Sequence, residues 1–136
     1  MEVCQGDVLQ RVQASPTGRL DETTTLQCFR QLARAVRFLH QHGIAHRDFF
    51  LDNVLLQDKS VCKLCDFGLS VSANRVCSDI VGKAYYMAPE VVAESTYDPT
   101  AADMWSLGIM LTGSPLTQFA LPHKCELTLK MLFGLA

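Results

Sequence analysis

The chain has no apolar run approaching the roughly 18–20 residues needed to cross a bilayer, which excludes a helical membrane span. It has no excess of either charge: 12 Lys and Arg stand against 14 Asp and Glu, for a net charge of −2. That balance gives no electrostatic case for nucleic acid or an anionic membrane surface as partner. The first residues, Met1-Glu2-Val3-Cys4-Gln5-Gly6-Asp7, lack the basic and apolar stretches of a secretory leader. No internal repeat or low-complexity tract occurs. The expectation is a cytoplasmic protein.

Six cysteines are present, but no second pair stands at metal spacing from Cys62-x-x-Cys65. A tetrahedral zinc site needs four ligands. The six are therefore read as reduced thiols, with Cys62 and Cys65 serving as small apolar residues of a strand. With 136 residues, 49% of them hydrophobic, the chain is expected to build one domain with a real core.

Residues 1–20 read as a short extended piece, then a turn or helix with a loop from Ala14 to Gly18. Asp21 offers an N-cap, with Glu22 in the first turn behind it. From Thr23 to Gln41 apolar residues recur at helical spacing (Leu26, Phe29, Ala33, Val36, Leu39, with Leu32 and Ala35 alongside). Gly43 is placed to close that helix. Val54-Leu55-Leu56 and Val61-Cys62-Lys63-Leu64 flank a polar turn at 57–60 and read as a β-hairpin. Residues 69–87 are polar, with few apolar anchors, and are expected to be mobile. A second helix is expected from about Thr100 through Leu111, carrying Trp105.

Three strings carry the chemistry: His46-Arg47-Asp48 followed by Asn53, then Asp66-Phe67-Gly68, then Ala88-Pro89-Glu90. In this order and spacing the chain resembles the carboxy-terminal lobe of a eukaryotic protein kinase, whose signatures are H-R-D-x-x-x-x-N, D-F-G and A-P-E. The resemblance implies an α+β, mostly helical lobe with a small β-hairpin beside the catalytic loop. It implies ATP and Mg²⁺ as cofactors, with phosphoryl transfer to a protein Ser or Thr hydroxyl. Asp48 would then be the catalytic base, and Asn53 and Asp66 the oxygen ligands of the metal. Glu2, Cys4 and Asp7 resemble the hinge, where backbone groups meet adenine and an acidic residue meets the ribose. His46 and Phe67 match positions of the family's internal spine, and Asp103 matches the helix aspartate that holds the catalytic loop. Tyr86 before Met87-Ala88-Pro89-Glu90 resembles the serine/threonine branch.

The departures are as specific as the matches. Members carry a lysine two residues after the catalytic Asp, or an arginine four after it; here those positions hold Phe50 and Asp52. Where a threonine usually follows the glycine before the Y-x-A-P-E string, the chain has Lys83. The two changes are read as compensating, with the Lys83 ammonium filling the space left at Phe50; the alternative is a solvated loop lysine. Three residues before Gly82, at a common phosphorylation position, stands Asp79, a carboxylate able to pair with Arg47 without modification. No Gly-rich loop and no strand lysine of the V-A-I-K type occur. The expectation is therefore a partial kinase domain over 1–117, N-terminal lobe absent, with 118–136 an unassigned tail and little or no catalysis alone. Expected partners are the protein substrate and another kinase or regulatory protein. The alternative function is a non-catalytic kinase-like interaction module or truncated gene product.

Overall fold

The computed structural model describes residues 3–58 and 61–112. Two long helices form its frame. Helix α2 spans Glu22–Gln41 and helix α4 spans Pro99–Thr112; a short α1 (Val8–Ala14) and a single turn α3 (Pro89–Val92) complete the helices. Among the described residues no helix is long and apolar enough to cross a membrane.

Three helix starts carry a side-chain cap. The Asp21 carboxylate accepts the Thr24 N–H at 2.9 Å and the Thr24 hydroxyl at 2.6 Å, capping α2. Asp7 caps α1 through the Gln10 N–H at 2.7 Å. Asp98 accepts the Thr100 N–H at 2.8 Å, with Pro99 in the first position of α4, where its missing N–H costs nothing. Helix α2 ends at His42, and Gly43 follows with φ +75, the left-handed conformation expected of a residue just past a helix end.

Strands β3 (Val54–Leu56) and β4 (Cys62–Leu64) pair antiparallel with Val54 opposite Leu64, as expected of the hairpin. Strand β1 (Gly6–Asp7) adds to the other edge of β3, with Gly6 opposite Leu56. A second ladder joins β2 (Ile44–Ala45) to β5 (Val71–Ser72). It ties the strand before His46 to the segment after Gly68.

The core lies between α2, α4 and the hairpin. It gathers Val8, Val12, Cys28, Phe29, Leu32, Val36, Phe49, Leu51, Val54, Leu107 and Leu111. The buried stripe of α2 is Thr25, Cys28, Phe29, Leu32 and Val36, whereas Leu26, Ala33 and Leu39 are only half-buried. The expected stripe was thus rotated. Strand β4 is the reason: Cys62 shares a hydrogen bond with Cys28, and its N–H donates to the Gln31 side chain at 3.0 Å. Burial and that thiol contact push the Cys62 thiol well above its ordinary value, so it stays protonated.

The segment 69–87 corrects a second expectation. It has few apolar residues, yet it is fastened along its length. Strand β5 holds one end, Cys77 is buried and exchanges backbone hydrogen bonds with Tyr97 at 3.0 and 2.8 Å, and Asp79 meets Arg47. Backbone pairing and two ion pairs, Arg47–Asp79 and Lys83–Asp52, stand in for the missing apolar anchors.

Candidate active site

One buried carboxylate holds the His46-Arg47-Asp48 loop. Asp103, 1% exposed on α4, accepts the His46 N–H at 2.8 Å and the Arg47 N–H at 2.7 Å, one on each oxygen. The His40 ring lies 2.9 Å from the same carboxylate. Arg47 needs this support because its φ is +64. Left-handed backbone costs an L residue roughly 1–2 kcal/mol. Hydrogen bonds to a charged group contribute about 1.5–3 kcal/mol each, so the pair outweighs the strain.

The His46 ring is fully buried. Its Nε2 faces the Cys65 carbonyl at 3.0 Å and its Nδ1 faces the Asp48 N–H at 3.2 Å. A carbonyl can only accept, so the proton sits on Nε2 and the ring is neutral. Burial pushes its pKa down in the same sense. The ring packs 4.7 Å from Phe49 and 4.9 Å from Phe67, centroid to centroid, joining the catalytic loop to the Asp66 segment.

Asp48 and Asn53 are one unit. The Asn53 amide donates to the Asp48 carbonyl at 3.0 Å and to its carboxylate Oδ2 at 3.1 Å. Among the described residues no donor meets Asp48 Oδ1 or Asn53 Oδ1. Burial raises the Asp48 pKa, the Asn53 hydrogen bond opposes it, and the Asp66 charge adds to the rise. Asp66, with φ +60, spends Oδ1 on the Gly68 N–H at 3.1 Å. Its other oxygen meets no donor among the described residues.

The activation segment crosses this loop. Arg47 Nη1 donates to both Asp79 oxygens, at 2.7 and 2.9 Å, and its Nε donates to the Leu69 carbonyl at 2.8 Å. The Tyr97 hydroxyl donates to the Asp79 carbonyl at 2.9 Å and accepts from Arg47 at 3.3 Å. Burial works against the Arg47 charge, and the Asp79 and Tyr97 contacts outweigh it, raising its pKa; Arg47 in turn holds Asp79 below the usual carboxylate value. Gly82, φ +97, lies so close that a Cβ there would stand 3.1 Å from the Arg47 carbonyl. Next to it, the Lys83 ammonium sits 3.7 Å from the centroid of the Phe50 ring and 2.7 Å from Asp52 Oδ2.

Strand β1 sets Asp7 against the hairpin, and burial foremost, with Asp66, Cys4 and Asp7 adding, raises the Cys65 thiol. One Asp7 oxygen is committed to capping α1. Glu2 lies outside the described residues, as does the tail from 118 to 136. Sequence reasoning missed His40, Tyr97 and the Asp52–Lys83 pair. Each contact spans 18 or more residues, and no local spacing announces it.

The family model for the protein kinase domain matches residues 1–130. CBL-interacting serine/threonine-protein kinase 13 of Arabidopsis thaliana is 40% identical over 82% of this chain and 23% of its own length. The protein kinase domain-containing protein ppk9 of Schizosaccharomyces pombe is 44% identical over 68% of the chain and 18% of its own length. The nitrogen permease reactivator protein of Saccharomyces cerevisiae is 37% identical over 88% of the chain and 16% of its own length. The chain therefore spans about a quarter or less of these relatives. Its serine/threonine relatives, the match along most of its length and the loop built around Asp48 agree: the chain belongs to the protein kinase domain family.

Proposed function

We propose that these residues form the carboxy-terminal, substrate-side lobe of a serine/threonine kinase, which transfers the γ-phosphoryl of ATP to a protein hydroxyl. The observation that carries this reading is the Asp48–Asn53 unit, which leaves Asp48 Oδ1 and Asn53 Oδ1 without donors on one loop.

In this reading Asp48 orients the substrate hydroxyl and takes its proton. The hydrogen bond from Asn53 keeps the carboxylate aimed, and the neutral His46 ring fixes the backbone beneath it. The donor set suits Mg²⁺: one exposed carboxylate, Asp66, and one amide oxygen, Asn53, both hard ligands. Among the described residues no group of three His, Cys, Asp or Glu stands together as a fuller metal site, which fits an ion that keeps its waters and binds phosphate oxygens. When bound, Mg²⁺ supplies charge neutralisation at the phosphates. Lys83 supplies the remaining cation near Asp48, and Cys4 and Asp7 face the adenosine, while Glu2 is assigned to the same hinge from the sequence alone. The 136 residues contain neither a Gly-rich loop nor a strand lysine, so turnover by them alone is expected to be absent or very slow. A protein substrate and a regulatory protein or second kinase are the proposed partners; a CBL-interacting relative carries such a partner in its name.

Calorimetric titration of the 136-residue chain with a non-hydrolysable ATP analogue tests the reading. Binding should require Mg²⁺, should lose that requirement in Asp66→Asn, and should survive in Asp48→Asn. Equal binding with and without Mg²⁺ in the unaltered chain would sink it.

A further inference from the structure

Phe50, where serine/threonine members carry lysine, and Lys83, where they carry threonine, touch one another, and Asp52 joins them. Phe50 and Asp52 come from the catalytic loop, Lys83 from the activation segment, 31 residues beyond Asp52. The Lys83 ammonium lies over the Phe50 ring at 3.7 Å and against Asp52 at 2.7 Å. Two catalytic-loop side chains therefore grip the same cation, one through its aromatic face and one through charge.

Stability does not explain the arrangement. The Lys83 and Asp52 side chains are 47% and 40% exposed, and an ion pair between groups so open to water contributes little to stability. Position does explain it. A lysine on a long flexible stem points nowhere in particular, and ordering it has an entropic cost. The backbone at its root is already anchored: Gly82 packs on the Arg47 carbonyl, the Tyr86 N–H donates to the Lys83 carbonyl at 2.9 Å, and Ser106 donates to the Tyr86 carbonyl at 2.7 Å. What remains is the side chain, and Phe50 and Asp52 define its course across the mouth of the loop. Lys83 in turn cancels a carboxylate, Asp52, that would otherwise repel an incoming phosphate.

We propose that Asp52 and Phe50 are positioning residues whose task is to seat the Lys83 ammonium beside Asp48, a cation moved from the catalytic loop to the activation segment. The use made of that cation rests on the kinase reading above; the seating does not.

The test is lysine-selective ¹³C NMR on the full 136-residue chain, whose lysines are Lys59, Lys63, Lys83, Lys124 and Lys130. Lys83→Arg assigns the signal. Under the Phe50 ring current, the Lys83 Cε protons should resonate upfield of the other four. Asp52→Asn should return them to the exposed-lysine position, and Asp52→Glu should restore much of the upfield shift, with thermal unfolding unchanged in both. An unshifted Lys83 in the unaltered chain overturns the proposal without recourse to any variant, as does a Lys83 signal that Asp52→Asn leaves in place. Saturation with Mg²⁺ and a non-hydrolysable ATP analogue separates the two readings. A Lys83 signal that is seated but indifferent to bound nucleotide keeps the positioning role and removes its use in phosphoryl transfer.

Discussion

At the scale of single residues, the site sets charge against solvation. Burial raises the Asp48 pKa, so the folded chain favours the protonated form more than the unfolded chain does. The stability linked to this shift is fully present below the ordinary Asp value of about 3.9 and is lost as pH rises through the raised folded value. Ionised Asp48 is therefore a load on the fold at neutral pH. On the proposed reading, Asp48→Asn is expected to abolish peptide phosphorylation in a kinase that joins these residues to an amino-terminal lobe, and to leave the melting temperature of the 136-residue chain equal or higher; a clear loss of stability would contradict that. Asp103 is placed differently, both its oxygens accepting backbone N–H groups. Asp103→Asn keeps one acceptor oxygen and turns an NH₂ toward a backbone N–H, so it should lower unfolding free energy by about 3 kcal/mol, read by denaturant titration. On the proposed reading, Lys83→Met removes the cation over Phe50 and, in a kinase that joins these residues to an amino-terminal lobe, is expected to slow phosphoryl transfer about 100-fold or more, the scale seen when one transition-state charge contact is deleted. Unchanged turnover would return Lys83 to the role of a solvated loop residue.

Between elements, residues 69–87 are held by the β5 ladder, the Cys77–Tyr97 bridge and two ion pairs, Arg47–Asp79 and Lys83–Asp52. The Arg47 hydrogen bonds hold Asp79 below the usual carboxylate value. Their contribution is therefore present above about pH 3.9 and fades as pH falls through the lowered folded value. At neutral pH the segment is ordered without a phosphate on it. Asp79→Ala should loosen it, seen as several-fold faster tryptic cleavage after the exposed Arg75, while the melt of the remaining chain changes little. Equal cleavage rates would mean that the Cys77–Tyr97 bridge suffices. Helix α2 offers a simpler check of its cap: Asp21→Ala is expected to cost about 1 kcal/mol.

For the whole molecule, function depends on α4 as much as on the loop it supports. Leu107 and Leu111 are fully buried beside Phe49 and Leu51, and Asp103 on the same helix holds the backbone at His46 and Arg47. Leu107→Ala should cost about 2–5 kcal/mol and should weaken nucleotide binding with it, because the core and the site share that helix. Much of this was legible beforehand. The α2 boundaries followed from Asp21 and Gly43, the hairpin from two apolar runs around a polar turn, and the identity of Asp48, Asn53 and Asp66 from motif spacing, since caps, alternation and short motifs are local properties of the chain. The placing of Lys83 at Phe50 and of Asp79 against Arg47 was also expected, but the exact face that α2 buries, the Cys77–Tyr97 bridge and the pairing of Asp52 with Lys83 were not. Each is a contact between segments distant in sequence, chosen by which surfaces meet once the helices pack. The sequence by itself determined the family, the chemical groups and the Arg47–Asp79 pairing; the tertiary structure alone decided that Asp52 faces Lys83, because a pairing across 31 residues depends on the path of the backbone between them.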